Sequence, residues 1–328
     1  MFGIFVSLIE NIIYKFIPTL PYFLRTPLYR KFLLFRKLRD FIVLSQGEIT
    51  YKERIEYAET ARGNEHLIGG LQEFNPNVTL AEVHTESLEI FKFEPKNKIE
   101  GKVGIYFHGG GYFYCSITSH RNFISNLSND LQMTIYFFHY RLSPEYNFPA
   151  AHEDAKKVLE HIESLHPSEN KIWMGESAGG NLLAGVCIDD TFAIKPSALI
   201  MLSPWLDLSD KMIDRSYLKN KDILLALDGM TDVGAYYANN HDPTDPIVSP
   251  LFGDVSSFPP VFIQVASNEL LFNDAVEFIK KLEVQNIENE LDVWDNLWHA
   301  WHFFPIKEAK EARKRIHRFI SKLELVSK

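Results

Sequence analysis

Apolar positions along this chain fall into two alternating kinds of run. Past about residue 80, short apolar stretches, several of them β-branched, recur at residues 88–93, 103–107, 134–139, 171–174, 198–202, 261–265 and 291–294. Several are too continuously apolar for a half-exposed strand, which suits strands buried on both faces of a mostly parallel sheet. Between them the pattern predicts helices at 150–165, 178–188, 273–284 and 307–323. In the last of these, Ile316, Phe319, Ile320 and Leu323 recur among charged residues, as in a helix laid on a sheet. Such alternation predicts an α/β fold with helices on both faces. Residues 207–254 are too many for a simple crossover and carry helical signals of their own. They are expected to form an insertion over the C-terminal strand ends, with residues 1–80 as the other half of a lid and 81–328 as the main domain.

The first 50 residues break this pattern. They hold seven Lys/Arg against three acids, a net of +4 that leaves −13 for the rest of a chain whose total is −9. Within residues 1–17 the polar residues Ser7, Asn11 and Lys15 make a narrow stripe on an otherwise apolar helical pattern. No basic stretch precedes it, and Glu10 and Lys15 interrupt the run, so neither a signal peptide nor a spanning helix is expected. Two readings remain: a helix folded onto the core, or an interfacial helix in which residues 1–40 touch anionic lipid.

Composition narrows the function classes. A chain of 328 residues, 46% hydrophobic, can bury a sizeable core. Its negative charge argues against nucleic acid as a general partner. The two cysteines, Cys115 and Cys187, make neither a disulfide framework nor a zinc spacing, and suit a reducing cytoplasm. The expected location is cytoplasmic, with peripheral contact at the inner membrane face if the N-terminal helix is interfacial.

The most specific chemistry lies in Gly175-Glu176-Ser177-Ala178-Gly179, a G-x-S-x-G between an apolar strand-like run and a helix-like one. That is the context of a nucleophile elbow, where a serine sits on a sharp turn and side chains at the two glycines would collide with neighbouring backbone. Upstream, His108-Gly109-Gly110-Gly111-Tyr112 follows directly on residues 103–107. Three glycines let backbone approach a substrate with N–H groups uncovered, so Gly109, Gly110 and Ala178 are expected to form an oxyanion hole. A phosphate loop fits less well, because no G-x-x-x-x-G-K-[ST] is present. His108 is expected to hold the loop rather than transfer protons, and Glu176 to brace the elbow.

With Tyr140-Arg141-Leu142-Ser143-Pro144-Glu145, Phe148-Pro149-Ala150-Ala151, Ser203-Pro204-Trp205-Leu206-Asp207-Leu208 and the Asp-Pro and Ser-Pro turns of residues 242–254, these motifs resemble the hormone-sensitive-lipase-like branch of the α/β-hydrolases. The resemblance covers residues 80 onward. It implies an α/β-hydrolase fold with a mostly parallel eight-stranded sheet and a helical cap. It also implies hydrolysis of carboxylic esters, of short to medium acyl chain, through a Ser-acid-His triad, without metal or organic cofactor.

By that resemblance the catalytic histidine is His299 rather than His302, one helical turn on. No acid or thiol follows this pair at a zinc-like interval, so a metal is not expected. The resemblance places the acid at Asn268, which cannot carry charge. Its neighbour Glu269 is the expected third member, with Asp274 as the alternative, and the order Ser177…Glu269…His299 is that of such hydrolases. Arg141, Glu145 and Asp154 are expected to form a polar network under the oxyanion loop, and Tyr112, Phe113, Trp205 and Trp298 to line the substrate pocket. The alternatives are an amidase such as an arylformamidase, and a small-molecule receptor on the same fold. Oligomeric state is not legible.

Overall fold

The computed structural model describes residues 50–326 apart from 86, 87, 220 and 226, together with Leu20 and Leu28. The helix expected at 1–17 and the basic residues after it lie outside the described residues. Helices α1 (Tyr51–Gly63) and α2 (Glu65–Gly69) precede the sheet. A capping box starts α1: Thr50 Oγ1 accepts from Glu53 N–H, and the Glu53 carboxylate accepts from Thr50 N–H.

Eight strands follow: β1 (Val78–His84), β2 (Glu89–Pro95), β3 (Lys102–Phe107), β4 (Thr134–Phe138), β5 (Asn170–Glu176), β6 (Ala198–Leu202), β7 (Val261–Ala266) and β8 (Asn289–Trp294). Between them run α3 (Ile117–Leu131), α4 (Ala150–Leu165), α5 (Ala178–Ile188), α6 (Leu227–Ala238) and α7 (Phe272–Val284), with α8 (Lys307–Val326) last. The strand order is β1-β2-β4-β3-β5-β6-β7-β8, antiparallel only across β1, β2 and β4. The expected α/β-hydrolase architecture, an eight-stranded and mostly parallel sheet flanked by helices, is therefore present.

Alternation along the buried strands divides the core. Ile105, Phe107, Trp173, Leu199, Met201 and Ile263 join one apolar cluster, with α4, α5 and α7. Tyr106, Ile172, Met174, Ile200, Leu202 and Phe262 join the other, with α3 and α8. Chain order reverses at β3, whose neighbours are β4 and β5, so a crevice opens at the C-terminal ends of these strands. Phe107 pairs with Gly175, which brings the loop after β3 beside the turn after β5.

Two helices meet near that crevice. Arg54 of α1 makes a bidentate pair with Asp232 of α6, its Nη2 2.7 Å from Oδ1, and stacks over the Tyr236 ring at 4.4 Å. Among the described residues, no helix is long and apolar enough to cross a membrane.

Candidate active site

Ser177 sits between β5 and α5 with φ 54°, in the left-handed region that non-glycine residues rarely occupy. Its backbone is tied on both sides: its N–H donates to Leu202 O at 3.0 Å, and its own O accepts from Trp205 N–H at 3.1 Å. A Cβ on Gly179 would stand 2.0 Å from Phe107 O, so only glycine lets α5 approach β3 this closely. Ser177 is half-buried at the crevice. Tyr112, Cys115, Ser203 and Ala300 also have positive φ, and each lies in a loop bordering this site.

His299 lies in the loop after β8, and Glu269 in the loop after β7. His299 Nδ1–H donates to Glu269 Oε2 at 2.9 Å. Glu269 Oε1 accepts from Ser203 Oγ and from Ala266 N–H, each at 2.8 Å. Both carboxylate oxygens are thus satisfied, and the side chain is fully buried. Glu269, not the half-buried Asn268, turns to the histidine. Burial pulls the His299 pKa down, but the hydrogen bond and charge of Glu269, with the charges of Asp222 and Glu176, leave it above the ordinary histidine value. Among the described residues no hydrogen bond closes between Ser177 Oγ and His299; such contacts often tighten only with substrate in place.

Asp274, the alternative acid, is placed elsewhere. Arg215 Nη2 donates to its two oxygens at 2.6 and 2.8 Å, and Leu206 and Asp207 N–H donate to Oδ1 at 2.9 and 3.1 Å. It anchors the segment after β6 and does not meet His299. His302 is buried against Trp301, its ring stacked at 3.9 Å, and burial pushes its pKa far below the usual value.

The glycine loop after β3, expected to supply oxyanion donors, departs from expectation at Gly109. Its N–H is turned to Glu176 Oε1, which also accepts from His120 Nε2 at 2.8 Å. Glu176 therefore braces loop and elbow together, and Gly109 has no N–H left for a substrate. The N–H groups of Gly110, Gly111 and Ala178 have no acceptor among the described residues. Gly110 has φ 95° and a Cβ there would meet Tyr114 O at 2.2 Å, so the loop can take this path only with glycine. Burial holds His108 neutral. Its ring stacks on Tyr140 at 4.1 Å, and Tyr140 Oη–H donates to His108 O at 2.7 Å. Glu65 of α2 reaches the far end of the loop, accepting from Cys115 N–H at 2.8 Å and from Ser116 Oγ.

The expected pocket residues need correction. Tyr112 stacks on Tyr237 at 3.7 Å with no exposed surface, and Trp298 packs edge-on against Phe304 in the core. Trp205 is buried, with its indole N–H donating to Asp207 O at 3.0 Å. Phe113 is buried against Tyr236. These aromatics build the walls' interior rather than the lining. What faces the loop is Val233 of α6, whose Cγ1 lies 3.6 Å from where a Gly111 Cβ would stand. Arg141 does engage Asp154, at 2.9 Å, but Glu145 faces Arg62 of α1 instead. Ser203, His120, Glu65, Val233 and Asp222 were not anticipated. Of these only Ser203 had a signal, a Ser-Pro at a strand's C-terminal end.

The chain as a whole is similar to known proteins. The profile of a family described as alpha/beta hydrolase fold matches residues 104–303. An esterase of Acinetobacter venetianus is 30% identical over 67% of this chain and 75% of its own. An acetyl-hydrolase of Streptomyces hygroscopicus is 31% identical over 62% and 70%. The crystal structure of an esterase/lipase from an uncultured bacterium superposes with a TM-score of 0.79 at 25% identity, covering 91% of this chain and 98% of that one. The chain belongs to the alpha/beta hydrolase fold family.

Proposed function

We propose that this protein is a serine hydrolase of small carboxylic esters, with Ser177 as nucleophile, His299 as general base and Glu269 as the carboxylate behind it. That it hydrolyses esters follows from its relatives. The observation that carries the site assignment is the 2.9 Å contact from His299 Nδ1 to Glu269 Oε2, opposite a serine held at positive φ on the strand–helix turn. With Nδ1–H engaged, Nε2 is the free base position. His299 takes the Ser177 proton as Oγ attacks the ester carbonyl, and the imidazolium is stabilised by Glu269. The oxyanion is received by the N–H groups of Gly110, Gly111 and Ala178, each contributing about 3–4 kcal/mol to the transition state. The alcohol leaves with the proton from His299. Water, deprotonated by the same ring, then attacks the acyl-enzyme, and Ser177 is restored.

Val233 stands over Gly111, which favours a small acyl group, in keeping with an acetyl-hydrolase among the relatives. The test is a panel of p-nitrophenyl esters from acetate to decanoate beside N-formyl aromatic amides. Acetate and butyrate should turn over fastest, and Ser177→Ala should lose about ten-thousandfold or more in kcat. An organophosphonate should add one equivalent of mass at Ser177. Faster turnover of the amides would assign an amidase, and no adduct with no turnover would assign a binding protein; either result overturns this reading.

A further inference from the structure

The chain between β6 and α6 holds a buried carboxylate that the triad does not use. Asp222 is 2% exposed. Its Oδ2 accepts from Leu270 N–H at 2.8 Å, and its Oδ1 from Leu224 and Leu225 N–H at 2.8 and 2.9 Å. Leu270 directly follows Glu269. One side chain therefore fastens the loop that carries the acid to the segment that leads into α6. The two leucines beyond it pack in opposite directions, Leu224 against the cluster under α3 and α8, Leu225 against the cluster under α5 and α7. A shift at Asp222 would thus move the acid and the covering segment together.

Burial leaves the Asp222 pKa above the ordinary carboxylate value, although three backbone N–H donors and the neighbouring His299 favour its anion. Its charge acts on His299 in return. The groups that bear on that ring are Glu269 from the loop after β7, Glu176 from the elbow, Asp222 from the covering segment, and His302, held neutral by burial.

We propose that Asp222 is a positioning residue of this site: it fixes the Glu269 loop through Leu270, fixes the segment leading into α6 through Leu224 and Leu225, and adds a buried carboxylate to those of Glu269 and Glu176 around His299. This rests on His299 being the base. When the ring takes the Ser177 proton it becomes a cation in a water-poor interior, where a further carboxylate stabilises it.

The test is the pH profile of kcat/KM for p-nitrophenyl butyrate with wild type, D222N and D222E, alongside phosphonate titration of Ser177. D222N should lose about ten- to hundredfold on the plateau, mostly in kcat, as expected for a displaced catalytic loop. Its acid limb should also move to lower pH, because His299 has lost a negative neighbour. A merely structural role would lower the plateau with the limb unmoved. D222E keeps the charge, so its limb should stay with wild type while kcat falls. A wild-type plateau or an unmoved limb in D222N overturns the proposal. If D222N does not fold, D222E decides, and wild-type kcat there overturns it. Absence of a Ser177 adduct in wild type would remove the base and this proposal together. A labelled, active wild type with an indistinguishable D222N removes this proposal alone.

Discussion

Glu269 and Asp274 stand five positions apart, both without exposed surface, and do opposite things. Glu269, in the loop after β7, shares one oxygen with His299 and the other with Ser203 and Ala266. Asp274, in the first turn of α7, is gripped by Arg215 and by two backbone N–H groups of the segment after β6. Charge and burial are alike, so the partner decides the role. Histidine exchanges protons near neutral pH, and a carboxylate behind it can modulate that exchange. Arginine stays charged throughout, so a carboxylate against it can only hold structure.

The largest expected effect breaks the first half of this pair. Glu269→Gln keeps an oxygen for Ser203 and Ala266, but its amide can present N–H to His299 Nδ1 and favour the wrong tautomer. A fall in kcat of about ten-thousandfold is expected, with stability changed by no more than about 1–2 kcal/mol. Wild-type kcat/KM should fall on the acid side at a pH above the ordinary histidine value, because activity needs the neutral ring and its pKa is raised. In E269Q the residual activity should lose that limb to lower pH. Ester kinetics from pH 5 to 9 with parallel urea unfolding measure both. Full activity in E269Q would move the catalytic acid elsewhere.

Asp274 should show the reverse balance. Asp274→Ala leaves the Arg215 guanidinium buried without its bidentate partner, and two N–H groups without an acceptor. The expected loss is about 3–5 kcal/mol of stability, with kcat of the folded fraction within about tenfold of wild type. Burial lifts this carboxyl to about 6 despite Arg215. A group whose pKa is raised on folding contributes stability below its unfolded pKa and loses it as pH rises through the folded one. The stability of wild type relative to D274N should therefore decline between pH 4 and 6. A large loss of kcat with little loss of stability would exchange the two roles.

The sequence carried the sheet further than the site. Strands β3 to β7 are largely apolar because both faces are covered, and their expected positions differ little from those observed. Helix α3 escaped notice because it turns Ser119, His120, Ser125 and Ser128 inward, which blurs the apolar period. β1 escaped as a half-exposed edge strand. The elbow was legible because its glycines are imposed by contacts a Cβ cannot survive. The proposed donor set of the glycine loop was not, since which of three glycine N–H groups is left unpaired depends on Glu176, whose reach no spacing reveals. The aromatic pocket failed for a related reason. Large rings near a motif are as useful beneath a loop as above it, and Tyr112 and Trp298 lie beneath.

A third carboxylate sharpens the comparison from its weak end. Asp232 of α6 meets Arg54 of α1 much as Asp274 meets Arg215, with two parallel hydrogen bonds, but its side chain is 37% exposed. Solvent competes for the Asp232 carboxylate there, and salt screens the pair, so Arg54→Ala should cost no more than about 1 kcal/mol of stability, including the stacking on Tyr236. His299, the proposed base, is untouched, so kcat for p-nitrophenyl acetate should stay within about twofold of wild type. Asp232 immediately precedes Val233, which stands over Gly111, and loosening this joint frees α6 to move from the loop. The change should therefore fall on selectivity, with KM for longer acyl chains dropping several-fold relative to acetate. Chain-length profiles of R54A at low and high salt would read this, and in wild type high salt should reproduce part of it. An R54A profile identical to wild type would mean that the pair joins the helices without governing access, leaving partner and burial to act on stability alone.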